Sequence, residues 1–336
     1  MPRQARLNIP GLYHHVIARG IERRLLFLHD IDRLDFLQRL EKLLMESGCR
    51  CFAWALMPNH FHLLIQAGAR GISEFMQRLL TGYAGAFNRR HKRAGHLFQN
   101  RFKSILCDHD SYFMELVRYI HLNPVRAGFL TLNELAHYRW AGHSALLGNS
   151  IQPWQEIPET LAWWGSTTTA ARAAYTHFTA DGLLEEEPRY LEGGGLLKSL
   201  GGISAGQAAT IRQADKQIFD FRVLGDGNFV ERVLSQSELI EQKQHRLKIE
   251  GWTLESMLLA ICQAAGGEVE AVKSGERSTA ASVARAMLAY AATEWLGATG
   301  TQVSQFCQVS EAAISKSWQR GKISGKALNC LLLFVS

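Results

Sequence analysis

Two histidines separated by a single residue are the first side chains in this sequence whose types and spacing could do chemistry. His60 and His62 belong to a run that is otherwise apolar as far as Ile65, and the turn residues Pro58 and Asn59 come directly before it. We predict the second strand of a β-hairpin, in which alternation places both imidazoles on one face. Two neutral imidazoles can bind a divalent cation, although a third ligand must come from elsewhere in the chain. The alternative is that both histidines are polar residues on the exposed face of a half-buried strand.

A tyrosine and an asparagine four residues apart supply complementary groups. Tyr119 and Asn123 lie in a stretch with the apolar spacing of a helix, so they would share one helix face, one turn apart. The phenol is a candidate nucleophile, and the amide oxygen is a candidate ligand. Pro124 prevents the helix from continuing regularly past Asn123 without a kink. Where this face meets His60 and His62 across a sheet, two imidazoles and one amide oxygen would hold a cation beside the phenol.

The elements that must position these residues follow from the spacing of apolar residues. Alternating runs predict strands, and apolar residues three and four apart predict helices. The predicted elements are a strand at 13–19, a helix at 30–46, strands at 51–57 and 60–67, a helix from Ser73 to about residue 90, a strand at 102–107 and a helix capped by Asp110 or Ser111. This order predicts an α+β, ferredoxin-like fold, in which an antiparallel sheet carries its helices on one face.

The charge of the chain is unevenly distributed. Residues 1–130 hold 19 Lys and Arg against 10 Asp and Glu, whereas the whole chain of 336 residues carries a net charge of only +6. A basic N-terminal part predicts a polyanion partner for that part, and the alternative is a solvated basic surface without a partner. No apolar run reaches the roughly 18 residues that cross a bilayer, so no membrane partner is expected. The six cysteines form no C-x-x-C pair, which indicates a reducing, cytoplasmic location.

Two motifs together resemble a known family. MPNHFHLLI, which contains the histidine pair, and RYIHLNPVRAG, which contains Tyr119, resemble in this order the single-tyrosine HUH transposases, and especially the REP-associated tyrosine transposases related to insertion-sequence enzymes. The resemblance covers roughly residues 1–150. It implies a ferredoxin-like fold, metal binding by His60 and His62, a nucleophilic role for Tyr119 and a third metal ligand at Asn123. It also implies that either Mg²⁺ or Mn²⁺ can serve as cofactor.

The resemblance implies DNA strand cleavage and rejoining without ATP. Tyr119 would displace a 3′-hydroxyl and hold the 5′ end of the DNA as a phosphotyrosine, and a free 3′-hydroxyl would then attack that ester. Other residues of the same types are assigned other roles. Tyr83 and Tyr112 lie outside the motif and are expected to pack or to stack on DNA, and His121 is expected to be structural or exposed. His14 and His15 alternate faces, so at most one of them approaches the site.

The densest basic patch is interleaved with aromatic residues. With Phe98 and Phe102 among the basic residues, and a strand-cleaving site implied nearby, it is predicted to bind single-stranded or hairpin DNA. The predicted DNA-binding residues are Arg19, Arg89, Arg90, Lys92, Arg93, Arg101 and Lys103. A location on the nucleoid follows from this expectation. The sequence leaves open whether the protein is a monomer or a homodimer, and whether Tyr119 serves its own chain or that of a partner.

The rest of the chain divides into two further predicted segments. Residues 151–250 are predicted to be a linker with short helices, because runs of Gly at 193–195 and 201–202 interrupt this segment. Residues 251–336 are predicted to be helical, with a helix-turn-helix at 302–306 and 311–318 that would bind duplex DNA. The alternative is an ordinary small helical bundle. The helical layout of residues 253–321 weakly resembles the DNA-binding domain of bacterial replication initiators, but the segment 309–313 lacks their basic recognition signature.

Two rival functions remain for the whole chain. A catalytically inactive DNA-binding regulator would keep the fold, although the intact set of His60, His62, Tyr119 and Asn123 argues against it. A metal-dependent hydrolase would use water as its nucleophile, so Tyr119 would be dispensable and no covalent intermediate would form.

Overall fold

The computed structural model describes residues 6–69, 71–185, 191, 220 and 222–323. The chain divides into two compact units. The first comprises residues 1–44, 50–67 and 72–233, and the second comprises residues 45–49, 68–71 and 234–336. Residues 151–233 thus group with the first unit, whereas the predicted functional boundaries at residues 150 and 250 stay predictions.

The first unit follows the predicted order of strand, helix, two strands, helix, strand and helix. Its elements are β1 (Tyr13–Arg19), α1 (Asp30–Ser47), β2 (Arg50–Leu56), β3 (His60–Gln66), α2 (Gly71–Arg90), β4 (Lys103–Cys107), α3 (His109–Arg126), α4 (Leu132–Leu135), α5 (His143–Leu147), α6 (Ile157–Leu161), α7 (Thr168–Asp181) and β5 (Val223–Leu224). Two predicted caps were wrong: α2 begins before Ser73, and α3 begins before Asp110 and Ser111. Asp108 is the N-cap of α3 instead, and it accepts a hydrogen bond from the Ser111 hydroxyl.

The sheet has the strand order β2-β3-β1-β4-β5. The first four strands pair antiparallel, which confirms the predicted ferredoxin-like arrangement. β5 adds a short parallel partner to β4, through Leu106 with Val223 and Cys107 with Leu224, so the sheet as a whole is mixed. The predicted α+β class is therefore confirmed, with one edge strand that periodicity did not indicate.

Helices cover both faces of the sheet rather than one. Phe36 of α1 contacts Phe61 of β3, with ring centroids 4.8 Å apart, on the face opposite the histidine pair. On the histidine face, α3 packs through a buried cluster that includes Leu64, Val117 and Ile120. The prediction of helices on a single face was wrong because β2 is apolar at nearly every position and buried along both faces.

The remaining helices form a helical C-terminal region, as predicted. They are α8 (Gly227–Ile249), α9 (Leu254–Ala265), α10 (Val269–Lys273), α11 (Thr279–Trp295), α12 (Gly300–Phe306) and α13 (Glu311–Ile323). α8 is one long helix where a linker with short helices was expected. α11 and α13 approach very closely, because a Cβ atom at Gly321 would lie 2.3 Å from the carbonyl oxygen of Ala286. None of the helices in the described ranges is long and apolar enough to cross a membrane.

Candidate active site

The two motif histidines share one face of the sheet, as alternation predicted. In the antiparallel register, His60 lies opposite Arg19 and His62 lies opposite Ile17 on β1. Their ring centroids are 5.1 Å apart. His60 is half-buried, whereas His62 is completely buried. The alternative that His62 is a polar residue on an exposed strand face is therefore wrong, because α3 covers this face.

Tyr119 reaches the histidine pair from α3. Its ring centroid lies 5.9 Å from that of His62 and 5.8 Å from that of His15, in edge-to-face arrangements. The tyrosine is only 1% exposed. The structure thus brings together the motif histidine and the motif tyrosine across the sheet, from positions 57 residues apart in the chain.

His15 is the site residue that sequence reasoning left undecided. Its ring stacks on His62 at 5.2 Å, and its Nε2 lies 2.9 Å from Nδ1 of His62. Its Nδ1 lies 2.7 Å from the backbone carbonyl oxygen of Leu191. His14 faces the other side of the sheet, where its Nδ1 lies 3.0 Å from the Ser104 hydroxyl. Alternation limits the site to one of the two histidines, but only the strand register shows that it is His15.

Burial keeps His62 uncharged. The pKa of His62 is lowered well below its ordinary value, first by burial and then by the neighbouring charges that His15, His60 and Arg19 would carry. A neutral imidazole has one protonated and one unprotonated nitrogen. Nε2 of His62 is buried and has no hydrogen-bond partner among the described residues. A buried nitrogen without a partner is a group that a cation could satisfy.

In His60, as in His62, Nε2 is the nitrogen that could bind a cation. Nδ1 of His60 lies 2.7 Å from Oδ1 of Asn59, and the amide nitrogen of Asn59 donates to the Arg23 carbonyl at 3.2 Å. Because Oδ1 can only accept, Nδ1 of His60 carries the proton, and Nε2 is the basic nitrogen of a neutral ring. Nε2 is thus the atom through which both histidines could bind a metal.

The predicted third ligand lies one turn from the tyrosine. Asn123 is 9% exposed, and its amide nitrogen donates to the Tyr119 carbonyl at 2.9 Å. Its oxygen is therefore the atom suited to a cation. Across the described ranges, no three His, Cys, Asp or Glu side chains are grouped so that they could hold a metal. Imidazole nitrogens and an amide oxygen are donor types that a divalent cation can bind, and Asn123 as the third ligand stays a prediction.

Three predicted DNA-binding residues line one groove. Arg19, at the end of β1, Arg101 and Lys103 line it together with Gln99 and Asn100. Arg19 pairs in the sheet with His60, so the groove begins beside the histidine pair. The structure thus places positive charge next to the candidate active site.

The four basic residues at the C-terminal end of α2 have different surroundings. Arg90 donates to the buried carboxylate of Asp32 at 2.6 Å and lies 3.4 Å from a carboxylate oxygen of Asp35, so two carboxylates hold its side chain. Arg93 lies over the Phe87 ring at 5.7 Å. Arg89 and Lys92 are exposed, as Arg90 is.

A second histidine cluster packs against α3. His121 of α3 and His143 of α5 both bond through Nδ1 to the Tyr175 hydroxyl of α7, at 2.8 Å and 2.6 Å. All three side chains are buried, and burial lowers the pKa of His143 to about 4. The expectation that His121 has a structural role agrees with this network.

The fold is the one that the sequence resemblance implies. A ferredoxin-like sheet carries the His-x-His strand, and Tyr119 lies beside it on the facing helix. Residues 8–123, about a third of the chain, match the family model described as "Transposase IS200 like".

The chain is also similar to a solved structure described as the REP-associated tyrosine transposase bound to a REP hairpin. The sequence identity is 17%, the TM-score is 0.38, and the match covers 50% of this chain and 93% of that chain. No curated protein matches the chain.

Proposed function

We propose that this chain is a metal-dependent DNA transposase that cleaves and rejoins single-stranded or hairpin DNA through a phosphotyrosine on Tyr119. The observation that carries the proposal is the contact of Tyr119 with His62, whose buried Nε2 has no partner among the described residues. The match of residues 8–123 to the IS200-like transposase family model supports DNA as the substrate. Because Tyr119 packs against histidines of its own chain, we assign it to the site of its own chain.

The proposed reaction is a pair of transesterifications. The Tyr119 oxygen forms a bond to phosphorus as it loses its proton, while the bond from phosphorus to the 3′ oxygen breaks and that oxygen gains a proton. The phosphotyrosine retains the energy of the broken ester, so no ATP is consumed. A 3′-hydroxyl then attacks the phosphorus and releases Tyr119.

In this proposal His60, His62 and Asn123 hold Mg²⁺ or Mn²⁺. A bound divalent cation would polarise the scissile phosphate and offset developing charge. The chain's own residues orient the groups: α3 holds the phenol against the imidazoles, and Asn59 fixes the ring of His60. Imidazole ligands favour Mn²⁺ over Mg²⁺ on grounds of ligand softness.

The groove lined by Arg19, Arg101 and Lys103 would bind the phosphates of the strand that approaches Tyr119. Arg89, at the end of α2, and Lys92 and Arg93, just after it, would bind further phosphates. Arg90 would contribute less than its neighbours, because Asp32 and Asp35 already neutralise its charge.

We further propose that the C-terminal unit binds duplex DNA. Arg277, next to the start of α11, and Arg320, on α13, line one cavity together with Thr279 and Ser282. Neither arginine forms an ion pair or hydrogen bond with the described residues, so both guanidinium groups can reach a phosphate.

A catalytically inactive DNA-binding regulator is the second candidate function. It is favoured by one observation: Tyr119 is 1% exposed, so a phosphodiester cannot contact the phenol without movement of the residues around it. The regulator would bind hairpin DNA through the basic groove and would form no covalent product.

Incubation with labelled hairpin DNA tests both candidates. With Mn²⁺ or Mg²⁺, the wild-type protein is expected to form a protein–DNA adduct that survives denaturation, and Tyr119→Phe or a chelator should abolish it. Tyr112→Phe is the matched control, because Tyr112 lies on the same helix and is only half-buried. Cleavage that persists in Tyr119→Phe would favour the hydrolase, and binding without cleavage would favour the regulator.

A further inference from the structure

His15 belongs to a chain of hydrogen bonds in which each donor and each acceptor can be assigned. The carbonyl oxygen of Leu191 can only accept, so Nδ1 of His15, 2.7 Å away, must carry a proton. His15 is fully buried, and burial disfavours a second proton that would charge the ring, so Nε2 is unprotonated and accepts. Nδ1 of His62, 2.9 Å from it, must therefore be the donor. With its proton on Nδ1, neutral His62 has its lone pair on Nε2.

The protonation pattern of His62 therefore has its origin outside the histidine motif. We infer that His15 is a positioning residue that holds His62 in the tautomer whose Nε2 can bind a cation. The inference rests on the proposed function for the identity of the metal site, but the tautomer itself is a property of the metal-free protein.

Two further observations agree with this role. Asn59 imposes the same tautomer on His60, so the two motif histidines reach one state through different partners. The rings of His15 and His62 are stacked at an interplanar angle of 24°, and both side chains are fully buried, so water does not compete for the shared hydrogen bond. Partners behind metal-binding histidines generally fix both the tautomer and the orientation of the ring.

The tautomer can be read directly from the wild-type protein. We expect ¹⁵N chemical shifts of histidine-labelled, metal-free full-length protein to show a protonated Nδ1 and an unprotonated Nε2 for His62, assigned with His62→Ala. A proton on Nε2 of His62 would overturn the inference, whatever the metal does. This measurement needs no variant of His15, so it does not depend on how well a variant folds.

The consequence for metal binding is tested with variants of His15. His15→Phe keeps the ring but removes the acceptor, and it is expected to weaken Mn²⁺ binding about 10- to 100-fold, the usual cost of losing such a partner. His15→Gln places an amide oxygen where Nε2 lies and should recover most of the loss. The matched control is His14→Phe, at an equally buried histidine on the other face of the sheet, which should leave Mn²⁺ affinity unchanged.

The outcomes separate the inference from the proposed function. If His62→Ala abolishes Mn²⁺ binding while His15→Phe binds as the wild type does, His15 has no positioning role. If His62→Ala also binds normally, the proposed metal site is wrong, and the tautomer in the chemical shifts still decides the role of His15.

Discussion

At the scale of residues, His14 should make the stability of the protein depend on pH. Burial lowers the pKa of His14 from 6.5 to about 4, so the unfolded chain binds the proton more tightly than the folded chain does. Stability is therefore retained above pH 6.5 and falls as the pH drops from 6.5 towards 4, by about 3 kcal/mol for this one residue.

Urea unfolding at a series of pH values measures this effect. His14→Gln is expected to flatten the dependence between pH 6.5 and 4, since its side chain does not titrate. His177→Gln is a suitable control because that histidine is exposed on α7. An unchanged slope in His14→Gln would show that His14 does not contribute to the pH dependence.

The residues of the candidate site were partly predictable from local pattern. Alternation along a strand placed His60 and His62 on one face, and helical spacing placed Asn123 one turn from Tyr119. The role of His15 was not predictable, because it depends on the register of β1 against β3 and on the carbonyl of a residue 176 positions further along the chain. Long-range interactions of this kind leave no local signal.

At the scale of elements, the spacing of apolar residues predicted helices and strands well where one face of the element is apolar. The predicted strand at 13–19 matches the structure at both ends. α8 was not predicted, because the buried apolar residues that the structure describes in it are concentrated near its two ends. They are Phe229, Val230, Val233 and Leu247. Much of its middle is polar and exposed, as in a loop, so no apolar stripe identifies the helix.

The Tyr175 hydroxyl joins three helices, and its removal should loosen them. Tyr175→Phe leaves Nδ1 of His121 and Nδ1 of His143 buried without their shared partner. We expect a loss of about 2–4 kcal/mol in the free energy of unfolding, from two unsatisfied buried groups. Denaturant titration measures it, with Tyr112→Phe as the control that should change little. Equal stabilities of the two variants would contradict a structural role for the network.

The close approach of α11 and α13 gives a second prediction at this scale. Gly321→Ala would place a methyl group 2.3 Å from a backbone oxygen, which cannot rotate away. We expect the two helices to separate. The free energy of unfolding of the second unit should fall by about 1–3 kcal/mol, despite the higher helix propensity of Ala. Gly267→Ala is the control, since its nearest neighbours would lie at 3.9 Å. Thermal unfolding followed by circular dichroism should distinguish the two variants.

At the scale of the whole molecule, the two units are proposed to recognise different forms of DNA. Arg277→Gln with Arg320→Gln should weaken duplex binding and make it less dependent on salt, with the slope reduced by about 0.9 for each phosphate that is no longer neutralised. The pair Arg277→Lys with Arg320→Lys keeps the charge and should retain most of the binding. Adduct formation on a single-stranded hairpin should be unchanged in both. Equal duplex affinity in the glutamine pair would exclude this cavity as the duplex site.

The hydrogen bond from His15 to Leu191 has a thermodynamic consequence for the whole molecule. Leu191 is fully buried in the cluster that contains Tyr119, and its carbonyl is the far end of the chain of bonds that we infer to orient His62. A ligand that displaces Leu191 to reach the phenol would therefore also change the affinity of the site for a cation. Linkage is reciprocal, so the cation must change the affinity for that ligand by the same factor. Occupancy by metal and entry of a DNA strand would then be coupled equilibria, joined through one backbone carbonyl.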